Sequence, residues 1–84
     1  MSYDLLIRRA AQKELAALPA TEFSRVESAI RTLADEPRPR SSRKLAARDG
    51  WRMRVGRYRV VYEIDDEVRS VTILHVGHRR DVYR

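Results

Sequence analysis

The chain of 84 residues carries 18 Lys and Arg against 12 Asp and Glu, a formal net charge of +6, and has no cysteine. Those figures exclude a disulfide framework, a thiolate metal centre and a second core, so residues 1–84 are expected to form a single domain. No apolar run approaches the ~18 residues that span a membrane, and Asp4, Arg8 and Arg9 interrupt the start of the chain where a signal peptide needs an apolar stretch, so a cytoplasmic protein is expected.

Taken in order, Tyr3–Ile7 is a short apolar run and predicts a first strand. Arg9–Leu18 predicts a helix, with Ala11, Leu15 and Leu18 at helical spacing and Pro19 ending it. Thr21 is a candidate N-cap for a second helix, in which Phe23, Val26, Ile30 and Leu33 form an apolar stripe and Glu22, Arg25, Glu27 and Arg31 the outer face. Pro37 and Pro39 break the pattern, because proline disfavours helix for itself and for the residue before it. Residues 43–49 read as a basic loop anchored by Leu45.

From Gly50 to Tyr62 apolar and basic residues alternate with period two on either side of Gly56-Arg57, the pattern of a β-hairpin. A two-residue turn there sets Val55 opposite Tyr58, Arg54 opposite Arg59 and Met53 opposite Val60. Trp51, Met53, Val55, Tyr58, Val60, Tyr62 and Ile64 then share one face, and Arg52, Arg54, Arg59 and Val61 the other. Asp65–Glu67 is an acidic turn, 70–76 is a further strand rich in Val, Ile and Thr, and 77–84 form a basic tail. The order β-α-α-β-β-β predicts an α+β domain in which the last three strands form an antiparallel meander with both helices on one face.

The charge is concentrated. Residues 37–62 hold nine basic side chains and one acidic, while the segments on either side are each net −1. Like charges directly across a ladder are destabilising, so a face that sets Arg54 against Arg59 predicts an anionic partner. Arginine grips phosphate with a planar, bidentate fork. His75 and His78 stand three apart on a strand, where side chains alternate, and do not predict a metal site. No cofactor motif is present, and no nucleophile has an evident base. RNA, however, supplies its own nucleophile in the 2′-hydroxyl, so a cationic surface suffices to orient it and to stabilise the phosphorane-like transition state. These residues leave three readings open: RNA cleavage, nucleic-acid binding, and docking of an acidic protein.

The segment 50–64, with its Gly-x-Tyr-Arg-Val-Val-Tyr core at 56–62, and the closing Val76-Gly77-His78-Arg79-Arg80-Asp81-Val82-Tyr83 together resemble RelE-type toxins of the RelE/ParE superfamily. The short first strand, Ala10–Leu15, the proline-bearing connection and Lys44-Leu45 fit as well, so the resemblance covers essentially the whole chain. It implies the toxin of a type II toxin-antitoxin system, held by an acidic cognate antitoxin and reaching DNA only through it. It also implies a metal-independent endoribonuclease that enters the ribosomal A site and cuts mRNA by 2′-hydroxyl attack. Carried over by position, the two basic residues of the first hairpin strand fall at Arg52 and Arg54, the phosphate-binding arginine at Arg59, the tail arginine that assists the transition state at Arg79, and the base-stacking tyrosine at Tyr83. The first two are commonly lysines in the family, one of them proposed as the general base. Arginine, with a pKa above ~12, is a poor proton acceptor, and His78 beside Arg79 is the candidate for proton transfer. Glu63 is read as a structural ion-pair partner. Related readings are a ParE-like toxin that inhibits DNA gyrase, and a catalytically degenerate toxin that only binds its antitoxin.

Overall fold

The alternation in 51–64 is obeyed residue for residue. In the computed structural model, which describes residues 2–78, strands Trp51–Val55 and Tyr58–Asp65 form the hairpin, with Val55 opposite Tyr58, Arg54 opposite Arg59, Met53 opposite Val60 and Trp51 opposite Tyr62. In chain order the elements are β1 (Asp4–Ile7), α1 (Arg9–Ala16), α2 (Ala20–Thr32), β2 (Ser42–Lys44), β3 (Trp51–Val55), β4 (Tyr58–Asp65) and β5 (Ser70–His78). They build an α+β fold, as expected.

The sheet is larger than the sequence predicts. It has five strands in the order β1-β5-β4-β3-β2. β2 occupies part of the expected basic loop and pairs antiparallel with β3, setting Arg43 opposite Arg52 and Lys44 opposite Trp51. β1 closes the far edge by pairing parallel with β5, so the sheet is mixed rather than purely antiparallel. α2 begins one residue before the expected Thr21 cap: Pro19 is the N-cap, with φ −56° and ψ 152°, and Thr21 lies within the first turn. Its fixed φ suits a helix start, where a missing N–H removes nothing.

Both helices lie on one face of the sheet. Ala11 and Leu15 of α1 and Val26 and Ile30 of α2, with Leu33 just beyond, meet Met53, Val55, Val60, Tyr62, Val71, Ile73 and Val76, all buried. Burying one such aliphatic side chain contributes on the order of 1.5–3 kcal/mol. Tyr62 is fully buried, and its hydroxyl donates a 2.7 Å hydrogen bond to the Pro37 carbonyl, tying the proline connection under β4. No helix among the described residues is long and apolar enough to cross a membrane. Among the described residues no helix lies on the second face of the sheet.

Candidate nucleic-acid interface

That second face holds the arginines. Direct partners in an antiparallel ladder share a face, so the register builds it in rows. One row runs Arg54, Arg59, Gly77 across β3, β4 and β5, and the next runs Arg43, Arg52, Val61, His75 across β2 to β5. Arg52, Arg54 and Arg59 are thus together as the period-two pattern predicts, and Arg43 joins them from a strand that the pattern did not reveal. Arg54 is exposed, whereas Arg52 and Arg59 are half-buried with their Nε atoms shut off from water. Burial along the stem restricts the directions these two side chains can take, so each is a pre-oriented cation. Gly56, at φ +58°, opens the β3–β4 turn in the left-handed region, which glycine adopts without penalty and which holds Arg54 and Arg59 in register.

Arg79 and Tyr83 lie outside the described residues.

His78 is on the wrong face for proton transfer at the arginines. Its partner in the register is Tyr58, which packs against the core, and the two rings meet edge to face with centroids 5.9 Å apart. The reason is a β-bulge. Tyr62 pairs with Ile73 and Val61 with His75, leaving Leu74 without a partner. One extra residue reverses the parity of everything after it. Val76 and His78 therefore turn to the helix side, and His75 and Gly77 to the arginine side.

His75 is consequently on the arginine face, where sequence reasoning did not place it. It is half-exposed, and its Nδ1 lies 3.6 Å from Oε1 of Glu14 on α1. The same carboxylate oxygen accepts the Val76 N–H at 2.9 Å. β1 pairs only with residues 70–73, so the outer edge of β5 beyond Ile73 has no strand beside it, and Glu14 takes the place of the missing partner. An open recess of about 500 Å³ adjoins His75, lined also by Arg8, Arg48, Asp49, Glu63 and Leu74. Glu63, expected as an ion-pair partner, is exposed and joins none of the ion pairs of the described residues. No group of three or more His, Cys, Asp or Glu among the described residues is arranged to hold a metal ion.

The opposite end of the sheet is clamped by Asp66. Arg38 donates to both its oxygens, Nη2 to Oδ2 at 2.8 Å and Nη1 to Oδ1 at 3.4 Å, and Tyr3 donates its hydroxyl to Oδ1 at 2.6 Å. Arg38 and then Tyr3, as hydrogen-bond donors, hold the Asp66 carboxyl below its ordinary 3.8, and the bond to Asp66 raises the Tyr3 hydroxyl above 10.0. The acidic clamp at one end and the arginine rows at the other give the sheet a charge gradient along its strands.

Comparison with known proteins agrees with this fold. The family model for the ParE toxin of the type II toxin-antitoxin system parDE matches residues 5–83. Toxin RelG of Mycobacterium tuberculosis is 38% identical over 100% of this chain and 99% of its own length. Among solved structures, the toxin-antitoxin complex RelBE2 from M. tuberculosis aligns with a TM-score of 0.84 at 32% identity, over 94% of this chain and 100% of that one. The archaeal RelE-RelB complex from Pyrococcus horikoshii OT3 aligns with a TM-score of 0.84 at 30% identity, over 98% and 100%.

Proposed function

We propose a function from one premise: the chain belongs to the ParE toxin family, the toxins of type II toxin-antitoxin systems within the RelE/ParE superfamily. The proposed activity is that of a cytoplasmic, ribosome-dependent endoribonuclease that cuts mRNA in the A site and so inhibits translation. The observation that carries this reading is the direct opposition of Arg54 and Arg59 on the sheet face that no helix covers, with Arg52 and Arg43 in the adjacent row. Two guanidinium groups held against each other's repulsion favour a bound phosphate between them, and bidentate donation suits a pentavalent phosphorus whose equatorial oxygens gain charge.

In this reading Arg52, Arg54 and Arg59 bind the scissile phosphate, Arg79 stabilises the transition state and Tyr83 stacks on a base. The ribose 2′-oxygen attacks the adjacent phosphorus and the 5′-oxygen leaves, giving a 2′,3′-cyclic phosphate and a 5′-hydroxyl end. The two solved relatives named above are toxin-antitoxin complexes, the archaeal one of RelE with RelB, and a RelB-type antitoxin, acidic where it crosses the arginine face, is the proposed partner, with DNA reached only through it. Because the ribosome supplies substrate geometry, purified protein is expected to cut free RNA poorly.

A gyrase-inhibiting activity is the second reading, favoured by the ParE family model that the chain matches. One experiment separates the two: express the protein and map mRNA 5′ ends inside translated frames. Codon-phased cleavage that disappears in Arg59→Ala and Arg79→Ala supports the nuclease. Growth arrest with intact mRNA and blocked supercoiling supports the gyrase reading, and absence of any toxicity leaves an antitoxin-binding protein without catalysis.

A further inference from the structure

We propose that His75, oriented by Glu14, is the general base that takes the 2′-hydroxyl proton; this rests on the endoribonuclease reading above. Four arginines hold a phosphate well but none accepts a proton readily at neutral pH. Among the described residues, the imidazole on the arginine face is that of His75.

Its place in the register makes the assignment. Arg59 pairs with Gly77, and His75 stands two residues from Gly77 on the same strand and the same face. Such diagonal neighbours have Cα atoms about 7–8 Å apart, within reach of long side chains and of a group bound between them. A phosphate on Arg59 thus brings its flanking ribose to His75. Gly77 presents no side chain in the intervening position, so nothing from β5 separates the two.

Glu14 completes the arrangement. Its Oε1 is fixed by the Val76 N–H at 2.9 Å and stands 3.6 Å from His75 Nδ1. A carboxylate against Nδ1 favours the tautomer with hydrogen on that nitrogen, which leaves Nε2 as the proton acceptor on the side away from Glu14. The other charged groups around the ring are Arg8 ahead of α1, Arg48 and Asp49 of the β2–β3 connection, and Glu63 and Arg59 of β4. In the step, Nε2 takes the proton from the 2′-oxygen as the 2′-O–P bond forms. The P–O5′ bond breaks, the 5′-oxygen takes a proton from water, and the imidazolium returns its proton to solvent.

The test is single-turnover cleavage of A-site mRNA on programmed ribosomes by the purified chain, as a function of pH. The wild-type rate is expected to rise with pH through the imidazole range. H75Q is expected to lose about 10²-fold or more in kcat with KM little changed, and to lose that rise. H75A should regain rate with added imidazole, which a misfolded protein cannot do. E14Q keeps an acceptor for the Val76 N–H but removes the charge from Nδ1, and is expected to lose about tenfold in kcat, as a positioning residue would. An active wild type whose H75Q variant keeps its rate and pH dependence overturns the assignment alone. A wild type that cleaves nothing on the ribosome overturns the nuclease reading and this inference with it.

Discussion

The guanidinium of Arg38 lies 5.2 Å above the ring of Trp51 while it grips Asp66 at 2.8 Å. One side chain thereby links the proline connection, the start of β3 and the β4–β5 turn, and the Tyr3 hydroxyl adds the N-terminal segment through Asp66. A cation over a half-buried ring is worth about 0.5–1 kcal/mol or more, so Arg38→Ala should lower the free energy of unfolding by at least that amount in a urea titration.

The same cluster sets a pH window. Asp66 has a folded-state value below 3.8, so its contribution is present above that value and is lost as pH falls through the folded one. The Tyr3 hydroxyl is raised above 10.0, so its contribution is present below that value and is lost as pH rises through the folded one. Thermal melts should therefore show an acid limb below 3.8 and an alkaline limb above 10.0, both reduced in Asp66→Asn.

Arg54 and Arg59 stand directly opposite each other across the ladder, where like charges are destabilising. Arg54→Gln should stabilise the isolated protein by about 0.2–1 kcal/mol while weakening its binding to RNA or to an acidic antitoxin. Denaturation in low salt, where the repulsion is least screened, combined with a binding titration, checks both signs. A stability that falls together with binding would contradict the opposition of fold and function at this pair.

Gly50 is buried at φ +127°, and a Cβ there would stand 3.2 Å from Leu45 Cδ1 and 3.3 Å from the Tyr62 carbonyl oxygen. Gly50→Ala should cost about 1–3 kcal/mol from backbone conformation alone, seen as a lower denaturation midpoint with an unchanged slope.

Tyr62 is the buried hydroxyl of the core, and burial pushes its ionisation up. Tyr62→Phe keeps the ring and leaves the Pro37 carbonyl without its donor. The expected loss is about 0.5–1.5 kcal/mol, with no change in cleavage, since the hydroxyl points to the connection and not to the arginine face.

The hairpin was legible because half-buried strands alternate, and from Trp51 to Ile64 the apolar residues keep to one face with Val61 the exception. β2 was not, because Ser42-Arg43-Lys44 carries no apolar signal and becomes a strand only by bonding to β3. The faces of β5 were not legible in the sequence, for a physical reason. Counting by twos from Val71 and Ile73 sends His75 to the core and Val76 to the open face, and only the unpartnered Leu74 reverses them. A bulge is a property of two strands in register, and neither strand announces it alone. His78 was considered for its place beside Arg79, whereas the register sets His75 on the arginine face and His78 on the other.

The parallel pairing of β1 with β5 joins an early strand to a late one: Asp4 meets Ser70, sixty-six positions on. Contacts so distant along the chain form late, because loop closure must come first. Synthesis runs from the N-terminus, so Leu5 and Ile7 wait for residues 71–73 before they have a ladder, and Arg59 waits for Gly77. A nascent chain thus carries its arginine hairpin before β5 is made, and the row of Arg54 and Arg59 gains Gly77 only once synthesis has passed β5.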